Sequence, residues 1–349
     1  MIFSQTLMHW YGINSRNLPW RETKDPYRIW LSEIILQQTR VEQGLPYYKK
    51  FIKVFPTVYD LAKSKEENVY KLWQGLGYYS RAQNLHLTAK RIVNEYNGVF
   101  PNSHEELKTL KGVGDYTASA IASICFNIPE AVVDGNVFRF LSRFFGIDTP
   151  IDSKKGFNFF KIKANKLIKG QSPGDFNQAL MDFGSTKCKP KSPDCENCIF
   201  SIKCYALKNK KVEFFPVKIK KLKIKTRYFN YLVFHNSKNQ TVLEQIDLKG
   251  IWHKLYQFPM IESKEILNKP TDQFQSIIAK YSNETSVIID PIFETPITHK
   301  LSHQKLIIQF WKIELSDNSI LPVEKEKVFS FPVPIVIEKF MIQFYKTLA

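Results

Sequence analysis

Four of the five cysteines lie within a stretch of 17 residues, and no other feature constrains the fold of this chain as strongly. Their spacing is Cys-x6-Cys-x2-Cys-x5-Cys, at Cys188, Cys195, Cys198 and Cys204. Four thiolates this close together predict a shared metal centre. Disulfides are rare in a reducing compartment and a structural zinc site usually contains two Cys-x2-Cys pairs, so the pattern favours an iron-sulfur cluster over these alternatives. The fifth cysteine, Cys125, lies in an apolar helical segment and is expected in the core.

Positive charge is concentrated in the first part of the chain. The formal net charge is +17; residues 1–212 contain 31 Lys and Arg against 19 Asp and Glu, whereas residues 228–349 contain 13 of each. A basic surface of this size favours a polyanionic partner, and nucleic acid is the commonest candidate in the cytosol. Solubility alone is the alternative explanation.

The chain carries no signal for a membrane or for secretion. No apolar run approaches the roughly 18 residues that a membrane span needs. The segment Met1–Trp10 is interrupted by polar residues and lacks the basic and apolar blocks of a secretion signal. We therefore expect no membrane association and a cytoplasmic location.

The length of 349 residues and a change in apolar periodicity predict two domains. Segments with helical periodicity precede residue 210: Tyr27–Tyr48, Glu66–Trp73, Ala82–Tyr96 and Glu105–Leu110. Strand-like runs follow, with one helical segment among them: Tyr228–Phe234, Thr241–Gln245, Leu306–Trp311 and the helical Asp272–Tyr281. The fold class is therefore an all-α domain followed by an α+β domain. A Ser-x-x-Glu capping box at Ser103 predicts a helix that starts there and ends before Gly112.

A basic run separates the two halves. The segment Lys218–Arg227 contains six positive charges and no acidic residue, and it follows Pro216. We place the linker there and expect it to contact DNA backbone, although such runs are often only solvated tethers.

The segment Leu110–Ala118 joins two helical segments by a Gly-x-Gly turn at Gly112 and Gly114, as in a helix-hairpin-helix. Glycines let the main chain approach a phosphate closely, and the following helix presents free N–H groups at its positive end. An ordinary turn between helices is the alternative.

Two carboxylates are candidates for chemistry. Glu33 is the single acid among apolar neighbours of a segment predicted to be helical over Leu31–Thr39, so its side chain is expected to be partly desolvated. Desolvation raises the pKa of a carboxyl group, as a general acid requires. Asp134 lies in a turn about one helix after the hairpin and could face DNA or simply cap a helix.

The chain closely resembles the MutY family of adenine DNA glycosylases over almost its whole length. The motifs that carry the resemblance, in order, are Leu18–Arg21, Leu31–Thr39, Gly75–Arg81, Leu110–Ala118, Val133–Val137 and the four cysteines. The resemblance implies a helix-hairpin-helix DNA glycosylase domain over residues 1–212, with a [4Fe-4S] cluster loop at 188–204. It also implies a basic linker over 213–227 and a MutT/Nudix-like domain for 8-oxoguanine recognition over 228–349. It also implies that the chain is a monomer that binds double-stranded DNA and is nucleoid-associated.

The resemblance further implies roles for individual residues. The implied substrate is duplex DNA with adenine opposite 8-oxoguanine or guanine, in which Gln38 and Tyr78 fill the gap that the extruded adenine leaves. Glu33 protonates the adenine and Tyr116 supports it by hydrogen bonding. Asp134 stabilises or traps the sugar cation. Other family positions in the pocket are matched by Arg21 and Gln178, the latter being glutamine where some members have glutamate.

The C-terminal half resembles the family's lesion-recognition domain. Ser302 and His303 match a Phe-Ser-His loop that inspects 8-oxoguanine, with Leu301 in place of the aromatic residue. Tyr256 stands where the Nudix hydrolase box has its first glutamate, and the rest of the box is missing. Nucleotide hydrolysis by this domain is therefore not expected.

Two other functions are the alternatives. One is an endonuclease III-like glycosylase and lyase for oxidised pyrimidines. Such an enzyme would carry a Schiff-base lysine where this chain has Tyr116, and it would lack the acid that this chain has as Glu33. A non-catalytic DNA-binding iron-sulfur protein would have no use for Glu33 and Asp134.

Overall fold

The computed structural model describes residues 2–219, 224–284, 287–316, 319 and 321–347. The chain divides into two compact units, one formed by residues 1–63 with 84–220 and the other by residues 64–83 with 221–349. The domain boundaries expected from the sequence, at 212 and 228, stay a prediction. Within the basic run, residues 220–223 lie outside the described residues. None of the described helices is both long enough and apolar enough to cross a membrane.

Helices account for most of the chain before residue 210, as predicted. The α-helices are α1 Ile2–Asn14, α2 Pro26–Leu36, α3 Val41–Val54, α4 Val58–Lys63, α5 Glu66–Trp73, α6 Ser80–Tyr96, α7 His104–Lys108, α8 Asp115–Phe126, α9 Gly135–Phe145, α10 Lys154–Leu167, α11 Pro173–Asp182, α12 Tyr205–Lys208, α13 Asp272–Ile278 and α14 Ile335–Thr347. The predicted cap is confirmed, because the Ser103 hydroxyl accepts from the Glu106 backbone N–H at 3.2 Å and α7 ends before Gly112.

The helix predicted over Leu31–Thr39 is shorter than expected. Helix α2 ends at Leu36, and Gln38 has a φ of +54°, which interrupts the helical path before α3 begins. The Gln37 side-chain amide donates to the Gly112 carbonyl at 3.2 Å and to Thr117 Oγ1 at 3.3 Å. The turn is thus held by contacts with the hairpin region rather than by a local Gly or Pro signal.

The first unit has an aromatic and aliphatic core in which α1 packs beside α11. Ser4 Oγ donates to the Leu167 carbonyl at 2.8 Å, and the Phe3 ring lies 4.8 Å from that of Phe144 and 5.1 Å from that of Phe200. This packing fixes α9, whose N-terminus follows Asp134. Cys125 is half-buried in α8 rather than fully enclosed.

The second unit is built on a mixed sheet. Its strands are β1 Lys225–His235, β2 Gln240–Thr241, β3 Glu244–Gln245, β4 Tyr256–Gln257, β5 Met260–Ser263, β6 Ile288–Pro291, β7 Ile297–Lys300, β8 Gln304–Glu314 and β9 Val323–Glu324. The main sheet has the order β5-β1-β8-β6, with β7 also paired to β8. Strands β1 and β8 are parallel, so Lys225 pairs with Gln304 and His235 with Glu314. The Phe340 ring of α14 stacks on Phe310 of β8 at 3.8 Å.

The strand predictions are confirmed for the two long strands, which contain the runs that start at Tyr228 and Leu306. The predicted strand Thr241–Gln245 forms two separate two-residue strands instead. The predicted helix from Asp272 ends at Ile278, three residues earlier than expected.

Candidate active site

Glu33 lies on the buried length of α2. All but three residues of this helix are buried, and Glu33 itself is 7% exposed. Burial raises the pKa of its carboxyl group from 4.5 to about 7, against the opposing effects of a hydrogen bond with Tyr116 and the charge of Arg21. The negative charge of Asp134 raises it further. Near neutral pH this carboxyl group can therefore both hold and release a proton.

Tyr116 is the second residue of α8, directly after the hairpin. Its hydroxyl donates to Sδ of Met181 at 3.1 Å, and its interaction with the Glu33 carboxyl group lowers the pKa of that acid. Burial and the nearby carboxylates Glu33 and Asp134 raise the pKa of Tyr116 well above its ordinary value. The phenol is therefore neutral and available as a hydrogen-bond donor at physiological pH.

Asp134 is the N-cap of α9. Its Oδ1 accepts from the backbone N–H groups of Asn136 at 2.9 Å and Val137 at 2.8 Å, and its Oδ2 accepts from Asn136 Nδ2 at 2.8 Å. Burial raises the pKa of the carboxyl group, while these hydrogen bonds and Arg139 oppose the shift. The cap fixes the side-chain orientation, so both of the roles considered for this residue are compatible with its position.

Arg21 and Gln178 line one polar cavity of about 310 Å³ in the first unit. Arg21 Nη1 and Nη2 donate to the two carboxylate oxygens of Asp182 at 2.6 and 2.8 Å, and Arg16 Nε donates to Oδ1 at 2.7 Å. The Gln178 Oε1 atom accepts from the Tyr11 hydroxyl at 2.6 Å.

Asp182 is fully buried, and no motif in the sequence marks it as a site residue. Burial alone would raise the pKa of its carboxyl group, but the hydrogen bonds and charges of Arg21 and Arg16 lower it below the usual value. Asp182 is therefore a fixed anion that holds two arginines at the cavity. An acid near the end of a helix gives no sequence signal for such a pairing.

The two hairpin glycines, Gly112 and Gly114, differ in whether the backbone conformation and the surrounding space require glycine. Gly112 has a φ of +78°, and a Cβ built there would lie 2.9 Å from Cβ of Asn84, so both conformation and space require glycine. Gly114 is the N-cap of α8, and a Cβ there would meet nothing within 4 Å. The backbone at Gly114 is therefore open to a close external contact, as a phosphate-binding hairpin requires.

The gap-filling candidates lie in strained turns. Gln38, in the first unit, is exposed with a φ of +54°, and Tyr78, in the second unit, is 41% exposed with a φ of +48°. Positive φ is uncommon for residues other than glycine, and it is often found at binding or catalytic sites.

The lesion-recognition candidates lie together in the second unit. Ser302 and His303 are exposed and line a cavity of about 480 Å³ with Tyr78 and Trp252. The Tyr78 hydroxyl and Ser302 Oγ are hydrogen-bonded. Leu301, which replaces the family's aromatic residue, is half-buried and packs against the core of this unit. Leu301 also lines the cavity, so this side chain has contacts both with the core and with the cavity.

The four cysteines meet at one apolar cavity. Cys188, Cys195, Cys198 and Cys204 all line it, and none forms a disulfide. Arg143 Nη1 lies 3.5 Å from Sγ of Cys188 and also donates to the Lys189 carbonyl at 2.7 Å. Four unpaired thiols around one enclosed space fit the ligand set of an iron-sulfur cluster. Among the residues that the structure describes, no group of three or more His, Cys, Asp or Glu side chains is arranged to hold a metal ion, so the four cysteines match a cluster by the number and kind of ligands and not by a preformed geometry.

Hydrogen bonds connect the cysteine loop with Asp134. Arg139 donates from Nε to the Cys188 carbonyl at 2.7 Å and from Nη2 to Asn136 Oδ1 at 2.9 Å. Asn136 in turn donates to Asp134. The conformation of the loop therefore bears on the position of this carboxylate.

Known proteins match both halves of the chain. Residues 31–163 match the family model of the HhH-GPD superfamily base excision DNA repair proteins, and residues 230–343 match that of the NUDIX domain. An adenine DNA glycosylase of Buchnera aphidicola subsp. Schizaphis graminum (strain Sg) is 35% identical over 343 residues, which is 94% of this chain and 97% of that protein. The adenine DNA glycosylase of Homo sapiens is 41% identical over 213 residues, or 58% of this chain and 39% of that protein. A solved structure of a thermostable thymine-DNA glycosylase superposes with a TM-score of 0.56 at 31% identity, covering 60% of this chain and 96% of that one.

The matches first define a class: the chain is a DNA N-glycosylase of base excision repair with a helix-hairpin-helix fold. Similarity to adenine DNA glycosylases extends over nearly its whole length, and the chain belongs to the MutY family of these enzymes. The expected fold class, a helical glycosylase domain followed by a Nudix-like domain, is thereby confirmed.

Proposed function

We propose that this protein removes adenine opposite 8-oxoguanine, or opposite guanine, from double-stranded DNA. The observation that carries the proposal is the buried carboxyl group of Glu33, whose pKa is raised to about 7 and which lies beside the Tyr116 hydroxyl. A proton held at such a group can be donated to a leaving base. The relatives named above as adenine DNA glycosylases support adenine as that base.

The base must leave the duplex before its glycosidic bond can be reached. Gln38 and Tyr78 fill the gap, and the base moves to a position beside Glu33, where the charge of Arg21 also acts. Glu33 then transfers its proton to N7 of adenine. The glycosidic bond breaks, its electron pair leaves with the base, and the sugar carries a positive charge at C1′.

Asp134 acts on this sugar cation. Its carboxylate stabilises or traps the cation, as carboxylates do in retaining glycoside hydrolysis. Water then forms a bond to C1′, any bond between Asp134 and C1′ breaks with its electron pair returning to the carboxylate, and the ionised Glu33 accepts the proton that the water loses. The product is an abasic site. Three hydrogen bonds within the N-cap orient the carboxylate before the substrate binds. Because the phenol of Tyr116 cannot form a Schiff base, the enzyme is monofunctional and does not cut the DNA strand.

Binding to duplex DNA involves the hairpin and the basic charge of the first part of the chain. The open backbone at Gly114 and the N-terminal end of α8 suit a phosphate, and Lys and Arg side chains displace counterions. Gly112 gives the hairpin the left-handed conformation that this approach needs.

In the second unit, Ser302 and His303 recognise 8-oxoguanine. Both side chains are exposed beside the same cavity and offer hydrogen-bonding groups to the modified base. Leu301 lines this cavity as well, so it offers an aliphatic contact where the family has an aromatic ring.

Cys188, Cys195, Cys198 and Cys204 would hold a [4Fe-4S] cluster. When bound, the cluster supplies iron-thiolate bonds that cross-link the loop. The lysines of the same loop, Lys187, Lys189, Lys191 and Lys203, then present cations to the DNA backbone.

The test is single-turnover excision by Glu33→Gln on duplexes with adenine opposite 8-oxoguanine. We expect normal binding and a rate lower by about 100-fold or more, since a positioned general acid is lost. Glu42→Gln, an exposed acid of α3, is the matched control and should excise at the wild-type rate. Wild-type excision by Glu33→Gln, or wild-type protein that acts on thymine glycol instead of adenine, would overturn the proposal.

A further inference from the structure

A buried, irregular segment leads to Asp134. Ala131 and Val132 are completely buried but lie in neither a helix nor a strand, so their backbone groups need other partners. The Ala131 N–H donates to Asn165 Oδ1 at 2.8 Å, and the Val132 N–H donates to Asn177 Oδ1 at 3.0 Å. Side chains of α10 and α11 therefore determine where this segment lies.

Lys161 of α10 completes this set of contacts. Its ammonium group donates to the Ala131 carbonyl at 2.7 Å and to Ser119 Oγ at 2.7 Å. It also lies 3.2 Å from Oε2 of Glu130 and 3.2 Å from Oδ2 of Asp115. With a side chain only 14% exposed, Lys161 is largely withdrawn from water and surrounded by acceptors.

These partners belong to two parts of the proposed active site. Asp115 is the first residue of α8, immediately after hairpin residue Gly114, and Ser119 is one turn further along the same helix. Glu130 and Ala131 belong to the segment that ends at Asp134. One ammonium group thus joins the helix after the hairpin to the segment that carries the carboxylate.

We infer that Lys161 is a positioning residue for base excision, which fixes Asp134 relative to the DNA-binding hairpin. The effect on base excision rests on the proposed function, whereas the contacts of Lys161 are independent of it. Small displacements of a catalytic group cost large factors in rate, so a residue that holds the Asp134 segment affects chemistry without touching DNA.

A charged donor suits this position because its partners include both neutral acceptors, a carbonyl and a hydroxyl, and two carboxylates. Without it, the Ala131 carbonyl would stay buried and lose its charged donor, and Glu130 would lose an ion-pair partner. Asp115 also lies 3.7 Å from Nζ of Lys108, so its charge would still be partly balanced. We therefore expect the loss of Lys161 to affect the Asp134 segment more than the hairpin.

The test compares Lys161→Met, Lys161→Gln and Lys161→Arg with Lys166→Met, an exposed lysine of the same helix. Hydrogen exchange of the peptide containing residues 130–137 is measured by mass spectrometry, together with single-turnover excision and binding to duplex DNA. We expect faster exchange in this peptide and an excision rate about tenfold lower in Lys161→Met, with Kd nearly unchanged. Lys161→Arg should restore most of both properties, and Lys166→Met should resemble the wild type.

Lys161→Gln keeps a hydrogen-bond donor without the charge, and it replaces Lys161→Met in the test if that variant does not fold. Its hydrogen exchange in residues 130–137 and its excision rate should lie between those of wild type and Lys161→Met. Unchanged exchange in residues 130–137, or an excision rate that falls only with the folded fraction, would overturn the inference. Wild-type protein that fails to excise adenine would refute the proposed function instead, while the exchange result still decides the role of Lys161.

Discussion

The Tyr116 hydroxyl lies beside the Glu33 carboxyl group and lowers the pKa of Glu33, against the larger effect of burial. The pair sets the pH range of the proposed proton transfer. Above about pH 7 the excision rate should fall roughly tenfold per pH unit, because the protonated acid becomes scarce.

Tyr116→Phe removes the hydroxyl and keeps the ring. Because the lost hydrogen bond favours ionised Glu33, the pKa of Glu33 should rise, and the alkaline limb of the pH-rate profile should move to higher pH. Single-turnover rates across the neutral and alkaline range measure the shift. Tyr59→Phe, which loses an exposed hydroxyl, should leave the profile in place. A limb at the same pH in Tyr116→Phe would contradict this role for the hydrogen bond.

Glu33 should also make stability depend on pH. Its pKa is about 7 when folded and 4.5 in the absence of burial, so the folded protein binds more protons between these values and stability falls as pH rises. Glu33→Gln removes this ionisation, and its free energy of unfolding should exceed that of wild type by up to about 3 kcal/mol above pH 7. Denaturant unfolding at acidic and alkaline pH measures the difference. An advantage that is the same at both pH values would argue against a buried ionisation at Glu33.

The two roles of Asp134 can be separated by two substitutions. Asparagine can still accept the backbone hydrogen bonds of the N-cap but has no charge, so Asp134→Asn should fold with near-normal stability and excise adenine at least 100-fold more slowly. Asp134→Ala should lose the same activity and in addition about 1 kcal/mol of stability. Thermal unfolding and single-turnover excision are compared for both variants. Wild-type excision by Asp134→Asn would exclude a role for its charge in stabilising the sugar cation.

The cysteine loop should contain iron and sulfide. Purified protein is expected to be brown, and Cys198→Ser should lose the cluster, together with stability and DNA affinity. Cys125→Ser is the matched control, because Cys125 does not line the cysteine cavity. Iron and sulfide analysis, visible absorbance and thermal unfolding are the measurements. Colourless, fully active protein that contains one zinc would show that the metal is wrongly assigned.

Replacing both Ser302 and His303 with alanine should weaken the preference for 8-oxoguanine over guanine opposite adenine. A lost set of hydrogen bonds corresponds to roughly 1 to 3 kcal/mol of discrimination. Excision opposite guanine should change much less, because Glu33 and Asp134 are untouched. Ser276→Ala, an exposed position on α13, is the control. If the double variant keeps its full preference, these residues do not recognise the lesion.

Local patterns predicted the parts of the fold that local interactions determine. The Ser103 cap is an example, since its partner is three residues away. The end of α2 has no such local signal, because Gln37 bonds to Gly112 and Thr117, which are distant in sequence. Leu31–Thr39 contains no glycine or proline to indicate the turn.

The sequence predicts those site residues that belong to a family motif. It does not predict a residue whose role comes from an ion pair with residues far away in the sequence. Asp182 acquires its importance from Arg16 and Arg21, and no spacing in the sequence connects these three residues. Lys161 lies in a lysine-rich helix, where a charged side chain is normally solvated. Only the positions of Ala131 and Ser119 show that it is enclosed.

The parallel pairing of β1 with β8 has a consequence for synthesis on the ribosome. Strand β1 emerges soon after the linker, but its central partner begins only at Gln304. Until β8 emerges, the buried side chains of β1, such as Tyr231 and Val233, lack the neighbour that covers them in the finished sheet. The second unit must therefore form late and almost all at once, and chains that stop before Gln304 should expose an aggregation-prone strand to chaperones and proteases.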